Sequence, residues 1–96
     1  MDMNVHYFMI KRILEARLGK TSYQFKIFGS RASGKARAYS DIDVAIIGDK
    51  PVSLTDLAYI NDLIEQSSIP VNVDVVDFSR VSEDFKNIAG QSMIEL

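Results

Sequence analysis

Apolar residues in the first stretch of the chain recur every three or four positions, a spacing that predicts a helix with one buried face. These positions are Met3, Tyr7, Ile10, Ile13, Leu14 and Leu18. Gly19 follows as the expected C-cap, and cations gather in the C-terminal half of the segment, where the helix dipole favours positive charge. We therefore predict an N-terminal helix that stops at Gly19.

Two strand-like segments come next. Residues 23–28, Tyr-Gln-Phe-Lys-Ile-Phe, alternate between apolar and polar and end at Gly29-Ser30, which is typical of a half-buried strand. Residues 41–47, Asp-Ile-Asp-Val-Ala-Ile-Ile, become apolar and β-branched towards their end, which indicates a second strand that runs into the core. Residues 31–40 lack an apolar period and carry three cations, so we expect a short helical turn and a loop.

The second half of the chain continues this alternation. Ser53 and Asp56 form a variant of the capping box before an amphipathic stripe, which predicts a helix over about residues 54–67. The β-branched run at 71–78 predicts a third strand. A final helix is predicted from the spacing of Val81, Phe85, Ile88 and Ala89, with Ile94 as a further candidate. The predicted fold is an α/β sandwich around a small sheet, with residues 1–96 as one domain.

Composition narrows the chemistry. The 96 residues include no cysteine and one histidine, and the formal charge is -2. These counts exclude thiol catalysis, zinc ribbons and multi-histidine metal cages, and they give no strong electrostatic footprint for nucleic acid. No segment has the pattern of a signal peptide or the roughly 18 apolar residues of a membrane span, so we expect a cytoplasmic protein that binds no membrane.

Three aspartates are candidates for metal binding. Side chains alternate along a strand, so Asp41 and Asp43 should share one face with Cα atoms about 6.6–6.8 Å apart. Asp74, on the third strand, would join them if the strands pair in the right register, which the sequence does not reveal. Clustered carboxylates repel unless they are neutralised, and Mg²⁺ prefers such oxygen ligands. Two ions about 3.5–4 Å apart would suit a phosphoryl-type displacement.

Gly29-Ser30 is a candidate phosphate-binding turn. Glycine permits close approach of a ligand, and backbone N–H groups at such a turn can face an anion. A triphosphate bound there would direct its metal-bound oxygens towards Asp41 and Asp43. The Gly-Ser turn and the aspartate pair are each weak evidence for a nucleotide site, whereas their order along the chain is more informative.

That order resembles the minimal nucleotidyltransferases of the DNA polymerase β superfamily. The resemblance is carried by residues 28–34, Phe-Gly-Ser-Arg-Ala-Ser-Gly, and 40–45, Ser-Asp-Ile-Asp-Val-Ala. It implies a mixed sheet of three to four strands flanked by helices, and Mg²⁺-dependent transfer of a nucleoside monophosphate, with two ions expected and Mn²⁺ as an alternative. By position it implies metal-binding and catalytic roles for Asp41, Asp43 and Asp74, with Asp74 as the base. It also implies nucleotide contacts at Gly29 and Ser30, to which we add the nearby cations Arg31, Lys35 and Arg37.

The resemblance also suggests substrates and partners. ATP is the expected donor, and the expected acceptor is a hydroxyl, such as a tyrosine of a HEPN-type helical partner in a toxin–antitoxin pair. Homo-oligomerisation is a further possibility. Two other functions fit the same residues: a non-catalytic, antitoxin-like subunit and a nucleotide sensor without turnover. Ser33 departs from the basic residue of many relatives. Asp77 is predicted to form a turn or cap, whereas the role of Tyr39 stays open.

Overall fold

The computed structural model describes residues 3–96, and its helices and strands alternate much as the sequence predicts. Within this range the helices are α1 (Met3–Leu18), α2 (Ser30–Ser33), α3 (Leu54–Glu65) and α4 (Glu83–Ala89). The strands are β1 (Tyr23–Phe28), β2 (Ile42–Gly48), β3 (Val73–Asp77) and β4 (Ile94–Glu95). None of these helices is long and apolar enough to cross a membrane.

The four strands form one mixed sheet in the order β3-β2-β1-β4. β1 is antiparallel to both β2 and β4, whereas β2 and β3 are parallel. The connection between the parallel strands contains α3, because parallel strands need a long crossover. The predicted α/β fold with a small mixed sheet is confirmed.

The two faces of the sheet are buried differently. The larger core contains α1, α3 and alternate strand residues such as Ile27 and Val44, both fully buried. On the other face Phe28, Ala45 and Phe78 form a smaller cluster. The rings of Phe28, Phe78 and Phe85 meet edge to face with centroids 5.3–5.9 Å apart. This aromatic group attaches α4 to the second face.

Local capping signals explain where the helices begin and end. α1 ends before Gly19, whose φ of 82° is in the left-handed region and whose N–H donates to the carbonyl of Glu15 at 2.8 Å. The Ser53 side chain caps α3 by accepting from the Asp56 N–H at 3.0 Å. Both predicted caps are confirmed.

Several predicted boundaries need correction. β2 begins at Ile42 rather than Asp41, α3 ends at Glu65 rather than 67, and β3 covers 73–77 rather than 71–78. Ile94 lies in β4 rather than in the last helix, because this short segment pairs with the outer edge of β1, which would otherwise be left open. Lys26 and Glu95 add an ion pair at 3.3 Å. Such pairing between distant segments leaves no mark in local periodicity.

Candidate active site

Three strand ends meet at one edge of the sheet. Because β1 runs opposite to β2 and β3, its C-terminal end lies beside their N-terminal ends. The register pairs Phe28 with Asp43 and Asp43 with Asp74. Neighbouring strands are roughly 4.8 Å apart, and paired residues project to the same face. The register therefore brings Asp43 and Asp74 together on the face opposite α1 and α3.

Gly29 lies directly against the Asp43 carboxylate. It follows β1 with a φ of 73°, and a Cβ built on it would collide with Asp43 Oδ2. The residue must therefore be glycine for two reasons, its backbone conformation and the space above its Cα. This contact joins the predicted phosphate turn to the predicted metal ligands.

The carboxylates at this edge interact electrostatically. Burial, and then the negative charges of Asp74 and Asp41, raise the pKa of Asp43 above its ordinary value. Asp43 is half-buried, whereas Asp41 and Asp74 are exposed. Since Asp41 precedes β2, strand geometry does not fix its side-chain direction as we expected from the sequence. The site is an open acidic edge.

The residues fit a hard cation in their chemistry. All three side chains offer oxygen. The pKa of Asp43 is raised first by burial and then by the negative charges of Asp74 and Asp41, and a cation would relieve that repulsion. Within residues 3–96, no three His, Cys, Asp or Glu side chains are grouped so that they could hold a metal ion together. Mg²⁺ commonly takes only one or two carboxylates from a protein and completes its shell with water and substrate phosphate, so an open carboxylate edge suits it.

The Gly-Ser turn is a tight backbone structure. The Gly29 carbonyl accepts from the N–H groups of Ala32 at 3.1 Å and Ser33 at 3.0 Å, and the Ser30 carbonyl accepts from the Lys35 N–H at 3.0 Å. Ser33 Oγ also donates to the Ser30 carbonyl, at 3.2 Å. The Ser33 side chain thus stabilises the turn.

The three predicted cationic contacts differ in their surroundings. Lys35 and Arg37 are exposed beside the turn. Arg31 is half-buried, and its guanidinium donates two hydrogen bonds to the Ser40 carbonyl, at 2.7 and 3.1 Å. It also donates to the Ala38 carbonyl at 3.4 Å. Arg31 therefore contacts the loop before Asp41.

A groove of about 350 Å³ adjoins the turn. It lies between the turn and α4, and its lining is mainly apolar. The lining residues are Phe28, Gly29, Ser33, Phe85, Ile88, Ala89 and Ser92. Its volume is within the roughly 300–1,000 Å³ of small-molecule sites. No sequence pattern indicates this groove, because it depends on how α4 packs. Tyr39 is 87% exposed and does not line it.

Asp77 stabilises the opposite end of the sheet. Its side chain accepts from the Val52 N–H at 2.8 Å, from the Ser79 N–H and hydroxyl, and from Arg80 at 3.1 Å. Burial alone would raise the pKa of Asp77, but these donors outweigh it and hold the pKa below its ordinary value. The predicted turn role is confirmed, and the long-range bond to Val52 is an addition that the sequence did not reveal.

Comparison with known proteins identifies the family of this chain. Residues 10–94 match the family described as "Polymerase beta, Nucleotidyltransferase", and the chain belongs to that family. It is an MntA-like minimal nucleotidyltransferase homologue. It is 36% identical over 80 residues to the Haemophilus influenzae protein named "Probable protein adenylyltransferase MntA", covering 83% of this chain and 68% of that one.

Solved structures show the same fold. One, assigned as a minimal nucleotidyltransferase, is 25% identical with a TM-score of 0.72 and covers 100% of this chain and 97% of its own. A toxin–antitoxin structure with AMP-PNP is 19% identical with a TM-score of 0.75, covering 93% and 70%. A complex of tri-AMPylated Shewanella oneidensis HEPN toxin with MNT antitoxin is 17% identical with a TM-score of 0.72, covering 98% and 71%.

Proposed function

We propose that this nucleotidyltransferase transfers AMP from ATP to a protein hydroxyl, with a tyrosine of a HEPN-type toxin as the acceptor. The acceptor oxygen bonds to the α-phosphorus of ATP, the bond to the bridging α–β oxygen breaks, and pyrophosphate leaves. The observation that carries this proposal is the register of Phe28, Asp43 and Asp74, which puts two carboxylates beside the Gly29 turn.

Each carboxylate has a role in this proposal. Asp41, Asp43 and Asp74 would hold Mg²⁺, in two sites, with Mn²⁺ as a substitute. When bound, the metal neutralises charge on the triphosphate and on the attacking and leaving oxygens. Asp74 takes the proton of the acceptor hydroxyl, since it is exposed where an incoming protein could reach it. Positioning and neutralisation of charge account for most of the rate in this class of reaction.

The donor nucleotide spans two neighbouring surfaces in this proposal. The triphosphate lies on the turn at Gly29 and Ser30, within reach of Lys35 and Arg37. The base lies in the apolar groove beside α4, because that groove shares Gly29 and Ser33 with the turn. Apolar and aromatic lining with few polar groups is typical of small-molecule sites. Base selectivity should accordingly be modest.

Relatives support the choice of acceptor. The Haemophilus influenzae relative is named as a protein adenylyltransferase, and one structure of the same fold is a complex with an AMPylated HEPN toxin. The acidic edge is open to solvent, so a folded protein can bring a hydroxyl to it. A toxin–antitoxin role would follow if modification silences the partner.

Transfer of label tests the proposal directly. The chain is incubated with Mg²⁺ and a lysate of the source cells, or with a purified HEPN-type protein from those cells. The ATP is labelled either at the α- or at the γ-phosphate. We expect protein labelling from α-labelled ATP only, and none with Asp41→Ala/Asp43→Ala. Labelling from γ-labelled ATP would indicate a kinase instead.

Binding measurements beside the labelling experiment separate the two other functions. A nucleotide sensor would bind ATP with a dependence on metal and label nothing. A non-catalytic antitoxin would bind its partner equally well with and without Asp41→Ala/Asp43→Ala, and it would also label nothing. Either result, in a preparation with intact fold, would overturn adenylyl transfer.

A further inference from the structure

Asp41 lies between two backbone anchors. On one side the Ser40 carbonyl accepts two hydrogen bonds from Arg31, at 2.7 and 3.1 Å. On the other side the Ile42 N–H donates to the Asn72 carbonyl at 2.9 Å, which begins the pairing of β2 with β3. Asp41 itself is exposed and outside the strand. Its position therefore depends on how firmly its two neighbours are held.

The loop on the Arg31 side is a closed turn. The Arg37 N–H donates to Ser40 Oγ at 2.8 Å, and the Ser40 N–H donates to the Arg37 carbonyl at 3.1 Å. The Arg31 guanidinium joins this turn to α2 through the carbonyls of Ser40 and Ala38. The planar fork of arginine gives two donors to one oxygen, a geometry that lysine cannot reproduce.

We propose that Arg31 is a positioning residue that fixes Asp41 relative to the phosphate turn, and that it does not bind the triphosphate. This inference rests on the proposed function, and it replaces the nucleotide contact that we expected from the sequence. Arg31 belongs to α2, directly after Gly29 and Ser30, so the bonds to Ser40 tie the turn that would receive phosphate to the aspartate that would hold its metal. The phosphate contacts then fall to Lys35 and Arg37.

Three variants separate positioning from binding. Arg31→Ala removes the tie and the charge, Arg31→Lys keeps the charge but loses the fork, and Lys20→Ala removes an exposed cation elsewhere. Hydrogen exchange of residues 37–42 measures the loop. Calorimetry with inorganic tripolyphosphate in EDTA measures anion binding without metal, and kcat and KM for ATP are measured where transfer is observed.

A positioning role predicts a specific combination of results. Exchange at 37–42 should accelerate about tenfold in Arg31→Ala and less in Arg31→Lys, with Lys20→Ala unchanged. Tripolyphosphate affinity should stay within about threefold of the parent chain, below the tenfold that corresponds to about 1.4 kcal/mol. kcat should fall about 100-fold, because small misplacements of a reacting group have effects of that size, while KM changes little.

The opposite combination would overturn the inference. If Arg31→Ala loses tripolyphosphate affinity tenfold or more, Arg31→Lys restores it, and exchange at 37–42 does not change, then Arg31 binds phosphate. If the parent chain transfers no label but the exchange results hold, the tie exists and the proposed transfer reaction is the part that fails. If hydrogen exchange in the Arg31→Lys variant accelerated along the whole chain and not only at residues 37–42, that result would also contradict a local role for Arg31.

Discussion

Asp43 and Asp74 occupy one rung of the sheet, on parallel strands that the whole α3 crossover separates in the chain. Each carries a carboxylate on the face opposite the main core, and burial followed by the charge of Asp74 raises the pKa of Asp43. Among residues 3–96, no basic side chain forms a hydrogen bond with Asp43 that would offset this repulsion. The strands thus place together two groups that disfavour each other in the absence of a counterion.

Replacing Asp43 by asparagine should reduce transfer and increase stability. Loss of a charge that the reaction needs should lower kcat by about 100-fold or more. Because the folded pKa of Asp43 is raised, ionisation destabilises the fold as pH rises through the ordinary aspartate pKa to the folded pKa. Asp43→Asn should therefore have a higher Tm than the parent chain at pH 7, and the gain should vanish at about pH 3, below the ordinary aspartate pKa.

Asp49→Asn, at an exposed acid elsewhere, is the control for general loss of negative charge. Differential scanning fluorimetry across pH gives both comparisons. A lower Tm for Asp43→Asn at pH 7 would contradict the expected repulsion.

Alanine at Gly29 should be more harmful than alanine at Gly34. Both glycines have positive φ, 73° and 80°, but a Cβ at Gly34 meets nothing within 4 Å, whereas one at Gly29 collides with the Asp43 carboxylate. Gly34→Ala should cost about 1–2 kcal/mol from backbone strain alone, and Gly29→Ala should cost more and abolish transfer. Urea unfolding of the two variants measures the difference. Equal losses would mean that the Asp43 contact contributes nothing.

Asp77→Asn should weaken the fold at neutral pH. Hydrogen bonds to a charged group contribute roughly 1.5–3 kcal/mol, and Asp77 accepts from Val52, Ser79 and Arg80. Since the folded pKa of Asp77 is lowered, its contribution is present above the ordinary aspartate pKa of about 3.9 and is lost as pH falls through the folded value. Urea titrations at pH 7 and pH 3 should show a difference between parent and variant that shrinks in acid. A constant difference would contradict this linkage.

The groove is tested by Ile88→Asp. Ile88 and Leu54 are each 71% exposed, so Leu54→Asp is a matched control at the other end of the sheet. A charge at position 88 should lower ATP affinity about tenfold, equivalent to about 1.4 kcal/mol, and leave binding of inorganic tripolyphosphate unchanged. Calorimetry with both ligands measures this. Equal ATP affinity in both variants would contradict the proposal that the base binds in the groove.

Local signals were sufficient for most of the fold. The cap formed by Ser53 with the Asp56 N–H and the left-handed conformation of Gly19 each involve only a few neighbouring residues. Both can therefore be predicted from the local sequence. β4 was missed because its pairing with Lys26 and Ile27 depends on an edge that exists only once the sheet has formed. The start of β2 was misjudged by one residue for a similar reason, since the Asn72 carbonyl determines where the ladder begins.

The candidate site was only partly readable. Gly29, Asp41 and Asp43 could be recognised as candidate site residues from the sequence, because their types and spacing are local features. The pairing of Asp43 with Asp74 depends on strand register, and the contact of Gly29 with the Asp43 carboxylate depends on a positive φ. The role of Arg31 is not decided by the sequence, because a cation beside a phosphate turn has the same sequence signature whether it binds an anion or a carbonyl.

The alternation of side chains along β3 determines which residue of this strand faces the site. Val73 and Val75 pack into the main core, and Asp74 between them turns to the opposite face. Adding one residue at the start of β3 would exchange these faces, burying a carboxylate and exposing valines, whereas adding two would restore the alternation. Insertions of any length are therefore tolerated in the loop after α3, whereas an insertion inside the strand must contain an even number of residues.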